Sequence, residues 1–306
     1  MRYSRQTSIQ KNLVLRSKVI QAIRTCFTCA GYLEVETPVR IPEIAPEAHI
    51  DAEESGSWFL QTSPELCMKR LLSFGFEKIF QICKCFRKKE RGDCHIPELT
   101  MLEWYRANAT YLDLMTECEN MLSEVTSSVQ PDPSIYFRNQ KTDMRPPWDR
   151  LSVADAFLKY GSVPVEKALA ENRFDEIMGI EIEPRLGYGK PVFLYDYPSS
   201  CAALARRKPF QPELAERFEL YINGIELCNC FTELTDPEEQ RTRFEKELES
   251  RRTMDKKVYP MPERFLQSLA NMPPSAGNAL GLDRLVMLLA NAEKIDDIVA
   301  FTPEEL

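Results

Sequence analysis

No stretch of the 306 residues approaches the ~18 consecutive apolar residues of a membrane span. The polar start Met1-Arg-Tyr-Ser-Arg-Gln lacks the apolar core of a signal peptide. A cytoplasmic protein with no membrane partner is therefore expected, and its ten cysteines read as thiols rather than as a disulfide framework. Positive charge is also short: 39 Lys and Arg against 47 Asp and Glu give a net charge of −8. That argues against a broad basic face for wrapping RNA, and leaves local basic clusters at residues 84–91 and 206–208 for a nucleotide or partner. Cys26-Phe-Thr-Cys29 has no matching second CxxC, and Cys83 and Cys85 have the wrong spacing for one. Buried free thiols are expected there instead of a metal or redox centre. Internal repeats and low-complexity tracts are absent.

The rest of the composition is that of a soluble globular chain: 43% hydrophobic, 28% charged, mean hydropathy −0.36. The length admits two average domains or one large one with a substantial core. Leu13, Val14, Val19, Ile20, Ile23 and Phe27 recur at helical spacing and predict a helix over 14–30, stopped by Gly31 in a left-handed cap. A strand over 32–38 follows and ends at proline. Residues 41–57, rich in Pro, Glu, Ala and Ser, predict a loop. Strands are predicted at 58–62 and 79–87, with helices at 64–74 and 111–125. The stretch 126–190 is low in strand pattern and predicts an inserted helical subregion within one domain spanning 1–306. Strands resume at 192–197, 217–222 and 225–234, followed by a charged helix over 237–252. The end, from Gly277 on, reads as strand, glycine turn and apolar helix. The pattern is α+β.

The most informative run is Phe86-Arg87-Lys88-Lys89-Glu90-Arg91-Gly92-Asp93-Cys94-His95-Ile96-Pro97-Glu98-Leu99. A strand ends in an arginine, and a short polar loop carries one of only two histidines. Both suit a triphosphate. On the returning strand, period-two alternation puts Leu99, Met101, Glu103 and Tyr105 on one face. That face offers an apolar floor, then a carboxylate and a phenol suited to an ammonium group.

Asn223-Gly224 between two β-rich runs predicts a two-residue hairpin. Its register pairs Glu219 with Cys228 and Tyr221 with Glu226, making Glu219 and Glu226 diagonal neighbours. Two carboxylates held on a rigid hairpin suit Mg²⁺ with triphosphate oxygens. The alternative is a solvated acidic strand face, and the arginine and histidine elsewhere favour the metal. Asn229 and Glu233 have the opposite parity from Glu226, so regular pleating sends them to the other face.

These blocks, in this order, resemble the class II aminoacyl-tRNA synthetases, closest to the lysine-activating branch. The helix, glycine, strand and proline of 11–38 resemble motif 1, which builds the dimer interface in that family; the arginine–histidine run resembles motif 2. Gly281, Asp283 and Arg284 resemble motif 3. The match runs from the first helix to Arg284, and motif 1 begins within the first few dozen residues. No anticodon-binding domain is therefore expected, nor a stable tRNA anticodon contact. This arrangement is similar to the elongation factor P–(R)-β-lysine ligase family, as are Thr62-Ser-Pro-Glu-Leu-Cys-Met-Lys-Arg70, Met101-Leu-Glu-Trp-Tyr-Arg106, and Ala279, which is glycine in the synthetases.

The resemblance implies an antiparallel class II sheet flanked by helices. It also implies a homodimer and an ATP-dependent, AMP-forming ligase with elongation factor P as acceptor. By the same resemblance Ser63 and Glu65 face the reacting end of a β-lysine or lysine, and Pro64 between them belongs to the substrate-binding set. Tyr105 and Glu233 hold its side-chain ammonium, with Glu103, Asn229 and Ala279 completing the pocket. Arg87 contacts the α-phosphate, and His95 and Arg284 the outer phosphates. Glu219 and Glu226 hold Mg²⁺, and Lys88, Lys89, Ile96, Leu99, Leu227 and Gly281 adjoin the nucleotide. Arg87, Glu226 and Arg284 are the catalytic set. To bring Asn229 and Glu233 to the side of Glu226, a bulge or bend is required near Cys228–Cys230.

Three departures from the family pattern matter. Lys89 stands where the family has glutamate, and Glu90, one residue on, points away on a regular strand. Ile96 replaces an asparagine, and Leu99 a phenylalanine that stacks on adenine, which weakens the expected adenine site. Alternatives to the ligase are a free-standing lysyl-tRNA synthetase-like enzyme and a non-catalytic amino-acid-binding regulator.

Overall fold

The computed structural model describes residues 5–202 and 204–306. A short helix α1 (Arg5–Ser8) leads into α2 (Gln10–Cys29), whose Val19, Ile23 and Phe27 are buried. Gly31 ends it with φ 77°, the left-handed geometry a side chain resists. Only Leu33–Glu34 of the expected strand is extended (β1), because Thr37-Pro38 breaks the pairing. Strands β2 (Arg40–Ile41), β3 (Glu54–Ser55) and β4 (Trp58–Leu60) form a small separate sheet in and beside the stretch expected to be loop. Helix α3 (Glu65–Ser73) then precedes the long hairpin of β5 (Lys78–Phe86) and β6 (Glu98–Ala107). Helix α4 (Tyr111–Val129) packs against α2 and opens with a capping box between Thr110 and Asp113.

The stretch 126–190 is not wholly helical. After the last turn of α4 come a hairpin, β7 (Ser134–Phe137) and β8 (Gln140–Asp143), and a strand β9 (Asp149–Ser152). Helices α5 (Val153–Tyr160), α6 (Val165–Ala170) and α7 (Phe174–Ile177) follow, closing their own apolar cluster. The four-residue strands are too short for a visible period. Their turn uses Arg138 and Asn139 at φ 48° and 62° instead of a glycine pair. The chain returns through β10 (Val192–Pro198), β11 (Arg207–Lys208), β12 (Gln211–Ile222) and β13 (Ile225–Thr232). It ends through α8 (Pro237–Thr253), α9 (Glu263–Leu269), β14 (Ser275–Gly281) and α10 (Leu282–Leu289).

The main sheet runs β1-β5-β6-β14-β13-β12-β10-β9, with β11 on β12. Its centre is antiparallel as expected, but β1–β5 and β9–β10 pair in parallel, so the sheet is mixed. Even-numbered residues of β6 and β14, such as Leu102, Trp104 and Leu280, are fully buried in the cluster with α2, α4 and α10. The odd-numbered face of the same strands is left to build the site.

Candidate active site

Strand register sets the floor of the site. Glu103, Ala279, Asn229 and Glu219 are successive cross-strand partners over β6, β14, β13 and β12. Tyr105, Gly277, Phe231 and Arg217 form the adjacent row. Glu219 thus opposes Asn229, not Cys228. The turn pairs Tyr221 with Glu226 as expected, but the register slips between Leu220 and Tyr221, where Leu227 is the extra residue. This bulge lies one residue before the expected place. It is what lets Glu226, Asn229 and Glu233 line one cavity despite their parity.

That cavity, of about 240 Å³, has two chemically distinct poles. At one, Ser63 Oγ donates to Glu103 Oε1 at 2.6 Å and Tyr105 OH donates to Oε2 at 2.9 Å. Glu65 projects from the first turn of α3, where Pro64 is the cap residue, and its Oε1 accepts from Lys69 Nζ at 2.5 Å. Lys69, 1% exposed, also pairs with Glu233, itself 1% exposed. Gly277 is required here: a Cβ would fall 2.5 Å from Glu233 Oε1 and closer still to the Tyr105 ring. Burial, reinforced by Glu65, pushes Glu103 up to about 7. Burial likewise raises Glu233 to about 8 against the pull of Lys69.

The other pole is cationic. Arg284, at the start of α10, donates through Nη1 to the Glu226 carbonyl at 2.7 Å, with the Glu226 carboxylate at 3.3 Å. Its Nη2 lies 2.7 Å from His95 Nε2. A guanidinium can only donate, so Nε2 accepts and the imidazole is neutral. Burial, then Arg284, hold His95 below its ordinary value, which agrees. Arg87 lines the cavity with its buried Nε lacking any hydrogen-bond partner. Such an orphaned donor calls for an anionic acceptor. Behind this pole Asp283 accepts from the Thr100 backbone N–H and pairs with Arg16 of α2, both at 2.6 Å.

Most of the residues singled out from the sequence meet in this cavity: Ser63, Glu65, Arg87, His95, Ile96, Leu99, Glu103, Tyr105, Glu226, Leu227, Asn229, Glu233, Ala279, Gly281 and Arg284 line it. Pro64, Lys88, Lys89 and Glu219 do not. Lys88 and Lys89 lie beyond the end of β5, and Lys89 adopts φ 65°. That left-handed turn overturns one expectation. The chain is no longer a strand at Glu90, which swings into the cavity and approaches Arg87 to 3.8 Å. Glu219 is committed: its Oε2 accepts from Tyr197 at 2.5 Å and Tyr221 at 2.6 Å, and its Oε1 from Arg217 at 2.7 Å. Glu226, 38% exposed at its side chain, is the carboxylate open to a cation. The Cys26–Cys29 pair is free but not buried: Cys26 is half-buried and Cys29 exposed.

Sequence reasoning assigned no role to Lys69, Arg217 or Gly277. Lys69 had a signal, standing one helical turn after Glu65. Arg217 shares the strand face of Glu219, again a readable period. Nothing in the sequence marks Gly277, because the neighbours that exclude a side chain there come from distant segments.

The family model for class II tRNA synthetases (D, K and N) matches residues 1–305. The chain belongs to that family. It is 38% identical over 312 residues to an elongation factor P–(R)-β-lysine ligase of Pectobacterium carotovorum subsp. carotovorum, covering 96% of this chain and 95% of that one. A ligase of the same name from Haemophilus influenzae is 38% identical over 305 residues, covering 95% and 94%. A lysine–tRNA ligase of Dehalococcoides mccartyi is 36% identical over 324 residues, covering 95% of this chain but 64% of that one.

Proposed function

We propose that this protein uses ATP to activate (R)-β-lysine or lysine as an aminoacyl-adenylate. It then transfers the acyl group to a lysine side chain of elongation factor P. One observation carries the reading: Glu65, Glu103 and Glu233 set three carboxylates against the single ammonium of Lys69. With all ionised, the pole is two positive charges short; burial first, then the neighbouring Glu65, raise Glu103 and Glu233. A substrate with two ammonium groups supplies both. A leucine side chain would leave a buried carboxylate unanswered.

The cationic pole takes the triphosphate. Arg87 lines the same cavity and, by resemblance, meets the α-phosphate, with Arg284 and His95 toward the outer phosphates. The amino-acid carboxylate attacks the α-phosphorus in line, the bond to the bridging oxygen breaks, and pyrophosphate leaves with that electron pair. Arg87 and Arg284 stabilise the charge that builds on the phosphoryl oxygens. Glu226, with Glu219 held behind it, would hold Mg²⁺, which supplies charge neutralisation on those oxygens. Gly281, Leu227, Leu99 and Ile96 provide the nucleotide's apolar surroundings.

Ala279 lies between Glu103 and Asn229 on the floor of the cavity. By resemblance that residue favours the β-amino acid. The relatives named elongation factor P ligases support the protein acceptor. Half-exposed Val14 on α2 and Leu33 on β1, at 50% and 52%, suit an isologous dimer across residues 11–38. No helix among the described residues is long and apolar enough to cross a membrane, and we place the protein in the cytoplasm. Incubation with ATP, (R)-β-lysine and either elongation factor P or tRNA tests the reading. A mass gain on elongation factor P is expected, and charging of tRNA alone would overturn it.

A further inference from the structure

A second cavity, of about 450 Å³, adjoins the first and shares Glu47, Ile50 and Leu204 with it. Its walls include Leu204, Phe244 and Ala202, which are buried apolar side chains. Gln240, 1% exposed, lines it with neither amide heteroatom hydrogen-bonded. A buried amide with both ends unanswered points to a ligand that supplies the missing partners. Exposed His49, Arg207 and Lys246 stand at the rim.

Glu47 occupies the junction. Its loop is fixed from behind by Arg251 of α8, whose wholly buried guanidinium donates to the carbonyls of Glu47 at 2.8 Å and Ile50 at 3.0 Å. Arg251 also pairs with Asp51 at 2.6 Å, and the Ala48 N–H donates to Glu247 Oε2 at 2.7 Å. The carboxylate of Glu47 is thereby held between the two cavities without being used to hold the loop. Apolar walls ending in a carboxylate match an aliphatic stem ending in ammonium. The basic rim matches an acidic protein surface around it.

We propose that the second cavity admits the acceptor's lysine side chain, and that Glu47 receives its ammonium and takes one proton from it. This rests on the function proposed above. The freed amine attacks the carbonyl carbon of the acyl-adenylate, and a C–N bond forms. The C–O bond to the phosphate breaks, and AMP leaves with its electron pair. The second proton leaves the nitrogen as the amide forms, so two protons are released in all. Gln240 bonds polar groups of the entering chain. Burial, then Glu65 and Glu247, push Glu47 up to about 7 against Arg87 and Arg217, a value suited to a base at neutral pH.

The test compares Glu47→Gln, Glu47→Asp and wild type in pyrophosphate exchange, which needs no acceptor, and in transfer to elongation factor P. The ratio of transfer to exchange should fall about a hundredfold in Glu47→Gln, the usual scale of general-base catalysis. The rise of wild-type transfer through about pH 7 should vanish in that variant, and Glu47→Asp should restore part of both. Gln240→Leu should raise the KM for elongation factor P several-fold more than the KM for the amino acid. Equal losses of exchange and transfer in Glu47→Gln would overturn the channel while sparing the proposed function. Absence of exchange in wild type with every amino acid tried would sink the function, and this inference with it.

Discussion

Glu233→Gln removes one negative charge from the anionic pole while keeping the shape of the side chain. In the structure that carboxylate is buried, pairs with Lys69 through one oxygen and holds the other beside Gly277. A hydrogen bond to a charged group contributes about 1.5–3 kcal/mol. Its loss should raise the KM for lysine or β-lysine by roughly 10- to 150-fold at 1.4 kcal/mol per decade. The substrate's side-chain ammonium is held alike before and during attack, so kcat should move little. Stability should change little, because burial raises Glu233 to about 8, so the free protein holds it largely protonated at pH 7, and Lys69 keeps Glu65 at 2.5 Å. A Tm within about 2 °C of wild type is expected, against the ~3–5 kcal/mol lost when a fully orphaned ion stays buried. Amino-acid-dependent pyrophosphate exchange and a thermal melt read the two quantities. An unchanged KM, or activation of leucine by wild type as efficiently as lysine, refutes the assignment of this pole.

Leu99→Phe should lower the KM for ATP several-fold with little change in kcat, because an added aromatic face, worth about 1 kcal/mol, acts on ground and transition states alike; a nucleotide titration checks it. Arg16→Leu should destabilise the fold by about 3 kcal/mol, since it leaves the buried carboxylate of Asp283 without its cation. It should also raise the KM for ATP through the adjoining Arg284. Burial raises Glu103 to about 7 and Glu233 to about 8, so both are increasingly neutral below those values. Lysine affinity should therefore climb as pH rises through that window, as calorimetry would show. The free protein should lose stability over the same rise, because its folded state binds more protons than the unfolded chain, and saturating lysine should flatten that loss. Sedimentation at micromolar concentration should show a dimer, and a monomer there would contradict the interface assigned to 11–38.

Much of the fold could be read because the elements that matter are long and periodic. The helix around Val19, Ile23 and Phe27, the β5–β6 hairpin and the final strand-turn-helix all emerge where expected. Four-residue strands and a hairpin turn built on Arg138-Asn139 carry too little pattern, which is why the 126–190 stretch read as helical. The site was legible wherever alternation holds, as at Glu103 and Tyr105. It failed where one residue breaks the period. The extra Leu227 shifts the partner of Glu219 to Asn229, and the left-handed Lys89 turns Glu90 inward. Parity did show that some irregularity near Cys228 was needed. The saturation of Glu219 by Tyr197, Tyr221 and Arg217 depends on three side chains meeting from two strands, and no local spacing announces it.

One cavity is assigned to join a diamino acid to the α-phosphate of ATP. Exchange of labelled pyrophosphate into ATP, driven in parallel by (R)-β-lysine, lysine and leucine, tests it most directly. Exchange is expected with the diamino acids, fastest with (R)-β-lysine, and none above background with leucine. Exchange driven equally by leucine, or by none of the three, would contradict it.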